Sequence, residues 1–308
     1  MESNKSVLND LTIAIPTYNR QRLLEQLIHT VTSKEVNIVI CDNGCFLDQN
    51  FVKDNPHVSV QRVDPVVGMF QNWNNSIRLV KSKWFMLPSD DDVFYPDSFD
   101  NINRALFEND DSDIIIFGHN VIDGNDNVMS SWAPKENKTY PIGNGLEQFI
   151  WGVDARLPSI IFKTELLKKV GLIDESFECT AADSLFIQRY LAFGKATFVT
   201  QILSGYRTWP ENYTNILNGT PKWLKDIDKW QDNLTSLMQE ANISTSYNYN
   251  VSQIKDEVYA NNLIQSIKVQ IKNKGKIGAL NFLLTNRYPT RARLITHLRI
   301  IKMLVLNR

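Results

Sequence analysis

Three consecutive aspartates, Asp90 to Asp92, are the residues whose type and spacing best suit chemistry, and they follow Ser89 and the mostly apolar run Trp84 to Pro88. Two unit charges about 4 Å apart repel by roughly 1 kcal/mol in bulk water and about 4 kcal/mol near a protein surface. Unless fully solvated, such a cluster needs a cation. Carboxylate oxygens suit Mg²⁺ or Mn²⁺, which commonly bind one or two carboxylates together with substrate phosphates. The cluster therefore predicts a metal–diphosphate site.

Two simpler explanations compete with a metal site. Aspartates gather before helices because a carboxylate accepts hydrogen bonds from free backbone N–H groups and suits the positive end of the helix dipole. However, Asp97 and Ser98 already occupy the start of the next predicted helix, so the three aspartates are surplus as caps. A solvated acidic turn remains the alternative.

Alternating strand-like and helix-like segments must position these aspartates. The apolar patterns predict strands at 11–15, 36–41, 58–63, 83–87 and 113–119, and helices at 20–33, 71–82 and 96–108. This alternation indicates an α/β fold with a mostly parallel sheet and helices on both faces. In open parallel sheets the ligand crevice lies at the carboxyl ends of the strands. We therefore expect residues 16–19, 42–45 and 89–92 to converge at one edge.

The pattern changes in the second half of the chain. After a less regular stretch beyond Val121, residues 159–163 predict a strand, and helix resumes at Thr164 and again at 183–194. From Trp223 onward the sequence is typical of helix only. We expect an α/β body followed by an all-helical appendage.

Charge and hydropathy limit the function classes. Residues 251–308 hold eleven Lys or Arg against two acids, which leaves 22 basic and 32 acidic residues in 1–250. An acidic body is the opposite of what nucleic-acid binding through the main surface requires. The sequence has no run of 18 apolar residues and no N-terminal secretory pattern, so we expect a cytoplasmic protein. Cys41, Cys45 and Cys179 lack CxxC spacing, which is typical of reduced thiols.

Five segments, taken together and in order, resemble glycosyltransferase family 2, the inverting enzymes of GT-A fold. They are IAIPTYNRQRLLEQLI, NIVICDNG, GMFQNWNNSI, FMLPSDDDVFYPDSF and GLIDESFECTAADSLFIQRYLAFG, and they cover about residues 10 to 210. The resemblance implies a Rossmann-like GT-A catalytic domain over residues 1–215. Its nucleotide-sugar half would span about 1–120 and its acceptor half about 121–215, with a helical region at 216–308.

The resemblance also implies roles for individual residues. Asp183 falls where the family places its catalytic base. The three aspartates match its DxD region, which implies Asp90 and Asp92 as metal ligands and Mn²⁺ or Mg²⁺ as cofactor. The residues expected to bind the donor are Pro16, Thr17, Tyr18, Asn19, Arg20, Asp42, Gly68, Asn72, Asp90 and Asp91.

Some of these assignments have alternatives. Asp42 with Asn43 and Gly44 could form a simple turn after a strand, and Asp183 could cap its helix, a role compatible with catalysis. Many family members have an acid at the position of Ala182 and another near Ser89. Which of the three aspartates binds metal therefore stays open.

The expected activity is the metal-dependent transfer of one sugar, with inversion, from a nucleoside-diphosphate sugar to a hydroxyl of a glycan acceptor. The QxxRW signature of processive synthases is absent, which favours a single transfer. A lipid-linked intermediate of bacterial O-antigen, capsule or teichoic acid would suit as acceptor. Two other classes stay open: a sugar-phosphate nucleotidyltransferase, although IPTYNR lacks the glycines of its loop, and a non-catalytic carbohydrate-binding or assembly protein.

Residues 287–308 predict an amphipathic helix. Its apolar stripe lies beside Arg291, Arg299 and Lys302 and consists of Leu294, Ile295, Leu298, Ile301, Leu304 and Val305. Such a helix can lie in an anionic membrane interface. It can equally pack on the catalytic domain or on a second subunit of a homo-oligomer, and the sequence favours neither.

Overall fold

The computed structural model describes residues 6–33, 35–209, 216–243 and 250–306. These residues form two compact units. The first unit comprises Met1–Leu146, Val153–Glu175 and Phe186–Trp209, and the second comprises Glu147–Gly152, Ser176–Leu185 and Pro210–Arg308.

The first unit begins with four parallel strands in the order β3-β2-β1-β4. The strands are β1 (Leu11–Thr17), β2 (Asn37–Asn43), β3 (Val58–Val63) and β4 (Trp84–Met86). The helices between them are α1 (Gln21–Thr30), α2 (Gln49–Asp54) and α3 (Met69–Arg78), and α4 (Ser98–Glu108) follows. Every residue of β1 is buried, as expected for a strand covered on both faces.

Alternate residues of β1 face opposite sides of the sheet. Leu11, Ile13 and Ile15 lie in one apolar cluster with the buried residues of α1 and α4. Helix α3 also contacts β1 and β2, but its buried Phe70 and Ile77 lie outside that cluster. Helices therefore cover both faces, and the predicted α/β architecture is confirmed.

Beyond β4 the sheet becomes mixed. Its remaining strands are β5 (Val93–Phe94), β6 (Ile114–Ile122), β7 (Val128–Trp132), β8 (Lys138–Tyr140), β9 (Ile160–Lys163) and β10 (Ala196–Arg207). The order continues β4-β9-β6-β10-β5. Strand β9 runs antiparallel to β4 and β6, whereas β10 is parallel to β6. The parallel arrangement predicted from the sequence is thus found in strands β1 to β4, whose carboxyl ends lead towards the predicted ligand crevice.

Two further helices, α5 (Leu167–Val170) and α6 (Ala182–Phe193), precede β10, and short 3₁₀ turns occur at Leu8–Asp10, Asn144–Phe149, Leu157–Ser159 and Thr164–Leu166. Within the first unit, Phe186 and Tyr190 of α6 pack on Phe162 of β9, with ring centroids 5.3 and 4.9 Å apart. This aromatic cluster fixes the part of α6 that belongs to the sheet unit.

The described part of the second unit is mainly helical, as the sequence predicts after Trp223. Its long helices are α7 (Pro221–Glu240), α8 (Val251–Thr285) and α9 (Leu294–Leu306). Helix α8 is kinked at Gly275, whose φ of 69° lies in the left-handed region that favours glycine. Among the described residues no helix is long and apolar enough to cross a membrane.

Buried carboxylates attach the segment after α8 to the rest of this unit. Arg287 forms ion pairs with Asp228 and Asp256. Glu257, itself buried, accepts hydrogen bonds from the backbone N–H of Arg293 at 2.7 Å and from the Thr296 hydroxyl at 2.8 Å. These contacts define the path of the chain into α9.

Candidate active site

The carboxyl ends of the parallel strands bring together three segments that are distant in sequence. The acidic turn, residues 89–92, begins three residues after the end of β4. The Thr17 hydroxyl, at the end of β1, donates to Asp90 Oδ2 at 2.7 Å. The side-chain amide of Asn72, in α3, lies 3.3 Å from the carbonyl of Thr17 and 3.4 Å from that of Cys41. The site lies where the alternation of strands and helices predicts a ligand crevice.

Asp90 is buried and shares a cation with its neighbour. Its Oδ1 lies 3.3 Å from Arg20 Nη1, and the same nitrogen lies 3.1 Å from Asp91 Oδ2. Burial, together with the charge of Asp91, raises the pKa of Asp90 to about 6. The two carboxylates thus form an acidic pair bridged by one guanidinium.

Asp91 receives support from β10 and the residues after it. The Trp209 indole N–H donates to Asp91 Oδ2 at 3.0 Å, and Arg207 Nε donates to the Asp91 carbonyl at 2.7 Å. Arg207 is itself buried and donates to the carbonyl of Asp123 at 3.0 Å. This arginine therefore fixes the main chain of the acidic turn.

Asp92 closes the acidic turn. Its Oδ2 accepts from the backbone N–H of Ser89 at 2.8 Å, and its Oδ1 accepts from that of Arg207 at 3.2 Å. The side chain is almost completely buried, and burial beside the charge of Asp91 raises its pKa well above the usual range. Both oxygens are thus occupied by main-chain donors.

Asp42 adopts a turn geometry. The carboxylate is fully buried at the end of β2 and accepts from the backbone N–H groups of Phe46 at 2.9 Å and Leu47 at 3.1 Å. Arg62 Nη1 lies 3.5 Å from Asp42 Oδ2. Asp42 therefore holds the loop that follows β2, which is one of the two roles its sequence leaves open.

An aromatic pair, Tyr18 and Phe46, stands at the rim of the site. Their rings meet edge to face with centroids 5.3 Å apart, and their exposed fractions are 52% and 44%. Gly44 allows this approach, because a Cβ there would lie 2.4 Å from Phe46 Cε2, and its φ is +95°. The rim thus offers exposed aromatic side chains close to the acidic turn, since the backbone N–H of Tyr18 lies 3.4 Å from Asp90 Oδ2.

The remaining predicted donor residues lie nearby. Pro16 is buried within β1 and is paired with Cys41, whereas Asn19 is exposed and has a left-handed φ of 51°. Gly68 caps α3 with open space where a Cβ would be. Asn72 is buried, and its Oδ1 has no hydrogen-bond partner. That orphaned acceptor and the open cap both favour a ligand at the start of α3.

Asp183 lies in the second unit and is the second residue of α6. It is partly exposed, and its Oδ1 accepts from the backbone N–H of Ser184 at 2.8 Å. A carboxylate suits the first turn of a helix, because the positive end of the helix dipole favours negative charge.

Sequence reasoning missed Arg207 and Trp209. Arg207 is the last residue of β10 and Trp209 lies two residues further on. Strand β10 has the polar pair Thr200 and Gln201 in its middle and Gly205 near its end, so its apolar pattern is broken. The available signal was local: YRTW contains a cation and an aromatic side chain directly after a run rich in strand formers.

The chain resembles known glycosyltransferases in sequence. The model of the family Glycosyl transferase family 2 matches residues 12–171. The chain is 24% identical over 247 residues to an uncharacterized glycosyltransferase of Rickettsia prowazekii (strain Madrid E), covering 75% of this chain and 73% of the relative. A second such relative, from Rickettsia typhi (strain ATCC VR-144 / Wilmington), is 24% identical over 222 residues, covering 67% and 66%.

Solved glycosyltransferase structures share the fold. S. aureus TarS 1-349 in complex with UDP-GlcNAc has a TM-score of 0.62 at 15% identity, covering 89% of this chain and 79% of that one. The mannosyltransferase PcManGT from Pyrobaculum calidifontis, in complex with GDP-Man and Mn²⁺, has a TM-score of 0.53 at 12% identity, covering 97% and 88%. The fold is therefore of the GT-A glycosyltransferase class.

The family model covers more than half of the chain, so the chain belongs to glycosyl transferase family 2 and is a glycosyltransferase. This membership decides among the three function classes that the sequence leaves open. The protein therefore belongs to neither of the other two classes, the sugar-phosphate nucleotidyltransferases and the non-catalytic carbohydrate-binding or assembly proteins.

Proposed function

We propose that this enzyme transfers one sugar, with inversion, from a nucleoside-diphosphate sugar to a hydroxyl of a glycan acceptor, using Mn²⁺ or Mg²⁺. The observation that carries the proposal is the acidic pair. Asp90 and Asp91 are nearly buried, lie where parallel strands end, and share one guanidinium nitrogen. The guanidinium balances one of the two negative charges, whereas a divalent metal would balance both.

The donor's nucleotide is assigned to the rim and the strand ends. Its base packs against the aromatic pair, since stacking on exposed rings suits a flat heterocycle. Its phosphates approach Gly68 and the N-terminus of α3, where free N–H groups favour anions. Asp42 acts as a positioning residue, because both of its oxygens accept main-chain hydrogen bonds.

The residues present fit a divalent metal. Among the described residues no group of three or more His, Cys, Asp or Glu side chains is arranged to hold a metal, but two carboxylates with substrate phosphates satisfy Mg²⁺ or Mn²⁺. The sequence favours Asp90 and Asp92 as ligands. Because main-chain N–H groups occupy both oxygens of Asp92, we assign the ligand roles to Asp90 and Asp91. A metal bound there would offset the charge of the diphosphate leaving group.

Asp183 is assigned as the general base. Its carboxylate accepts the proton of the acceptor hydroxyl as that oxygen forms a bond to the anomeric carbon. The bond from that carbon to the diphosphate breaks on the opposite face, and the nucleoside diphosphate leaves with the bonding electrons. One displacement inverts the configuration, and no covalent enzyme intermediate forms.

The acceptor is proposed to be lipid-linked, as in bacterial O-antigen, capsule or teichoic acid assembly, with the enzyme peripheral on the membrane's inner face. The supporting observation is an apolar face on the second unit. In α9 it comprises Leu294, Ile295, Leu298, Ile301 and Val305, and in α8 it comprises Ile277, Leu280 and Leu284; each is at least 47% exposed. Residues 258–308 contain ten Lys or Arg and no acid. An exposed apolar face flanked by cations suits an anionic membrane surface.

Calorimetry with UDP, GDP and CDP, with and without Mn²⁺, tests the donor and metal assignment. At least one nucleotide should bind more tightly with Mn²⁺ present, and Asp91→Asn should abolish that gain. Asp110→Asn is the matched control, because it removes an exposed acid from the same unit. Equal affinities with and without metal for every nucleotide would contradict the proposal.

A further inference from the structure

We propose that Arg20 is the built-in counter-cation of the acidic pair and that it exchanges with the divalent metal. Its single charge offsets part of the negative charge of Asp90 and Asp91. When the metal binds, the guanidinium moves off these carboxylates and turns to the donor's phosphates. This inference rests on the proposed function and adds a competition within the same site.

The contact is asymmetric in a way that permits exchange. The side chains of Asp90 and Asp91 are each 6% exposed, whereas that of Arg20 is 43% exposed. The carboxylates are therefore held in the protein, and the guanidinium can withdraw into solvent. One nitrogen, Nη1, makes both contacts, so a single side-chain rotation breaks both.

Other groups keep the acidic pair in place when Arg20 leaves. The Thr17 hydroxyl donates to Asp90, and the Trp209 indole donates to Asp91. The backbone of Arg20 is also held, because its carbonyl accepts from the N–H groups of Leu23 at 3.0 Å and Leu24 at 3.1 Å. The exchange thus requires no movement of the main chain at the start of α1.

A metal and Arg20 cannot occupy the pair together. Both are cations that would lie within a few ångströms of the same two oxygens, where like charges repel strongly. The displaced guanidinium then meets the diphosphate, whose oxygens match its planar array of donors. Arg20 therefore contacts the acidic pair before the metal binds and the donor's diphosphate afterwards.

The test is the affinity of Mn²⁺ alone, measured by electron paramagnetic resonance of free Mn²⁺, in wild type, Arg20→Lys and Arg20→Gln. Arg20→Gln should bind Mn²⁺ about tenfold more tightly, as expected when a competing charge-assisted contact is lost. Arg20→Lys should fall between, because an ammonium is more strongly hydrated and leaves the pair more easily. Arg22→Gln removes an exposed charge from α1 and should match wild type.

The second readout is nucleoside-diphosphate affinity at saturating Mn²⁺, which should fall in both Arg20 variants. Opposite changes in metal and nucleotide affinity separate an exchange from misfolding, which would weaken both. If wild type binds Mn²⁺ and neither Arg20 variant binds it more tightly, the exchange is overturned while the proposed metal use stands. If no protein binds Mn²⁺, the proposed metal use is overturned as well. Should Arg20→Gln fail to fold, the comparison of Arg20→Lys with wild type decides.

Discussion

Replacing Arg207 with methionine should damage both the stability of the first unit and its acidic turn. Arg207 is 3% exposed. Its Nε donates to the Asp91 carbonyl, its Nη1 donates to the Asp123 carbonyl, and its Nη2 lies 2.6 Å from Asp126 Oδ1. Methionine retains much of the apolar stem and removes all three contacts and the buried charge.

The magnitude follows from what the substitution leaves behind. The buried Asp91 carbonyl loses its donor, at about 1–3 kcal/mol for an acceptor left unsatisfied, whereas the Asp123 carbonyl keeps the backbone N–H of Asp126 at 3.2 Å. Asp126 is largely exposed and contributes little. We therefore expect a loss of about 1–3 kcal/mol. At about 2–4 °C per kcal/mol, the melting temperature of the first unit should fall by roughly 5 °C.

Differential scanning calorimetry measures this loss, and Mn²⁺ titration of the folded variant measures the effect on the acidic turn. Arg104→Met is the matched control, since Arg104 is exposed on α4 in the same unit. Arg207→Lys should recover part of the stability, because it keeps the charge without the planar array of donors. A melting temperature for Arg207→Met equal to that of Arg104→Met would refute the reasoning.

Three further outcomes are expected. Asp183→Asn should leave nucleotide binding nearly intact in calorimetry while slowing transfer by about 100-fold or more; near-normal turnover would place the base elsewhere. The triple change of Leu294, Leu298 and Ile301 to glutamine should reduce co-sedimentation with anionic liposomes. Unlike a truncation, it keeps the Arg287 ion pairs. If wild type binds no liposomes and the variant loses an oligomer in light scattering, the apolar face belongs to subunit assembly. His119 is buried, which lowers its pKa to about 4. As the pH falls, the unfolded state therefore takes up a proton before the folded state does. The free energy of unfolding should consequently fall by up to about 3 kcal/mol between pH 6.5 and pH 4. His119→Phe should flatten that dependence in urea denaturation, and an unchanged slope would count against it.

Local patterns in the sequence were sufficient for the parallel half of the fold. The apolar runs that became β1, β2 and β4, and the helical spacing of α1, depend on residues close together in the chain. Because parallel strands present their carboxyl ends at one edge, the convergence of Thr17, Asp42 and the acidic turn also followed from these patterns. The order of motifs added the GT-A class and the family, and both are confirmed.

The tertiary structure alone decided what surrounds the acidic turn. The insertion of β9 between β4 and β6, and the pairing of β10 with β6, join segments far apart in the chain, and no local pattern encodes such a pairing. Arg207 and Trp209 reach Asp91 from more than one hundred residues away. Arg20 bridges Asp90 and Asp91 across some seventy residues. The sequence determined that these carboxylates need a cation, because the charge of each residue and the identity of its neighbours can be read directly from it. Which groups contact the carboxylates is set by side-chain packing in three dimensions.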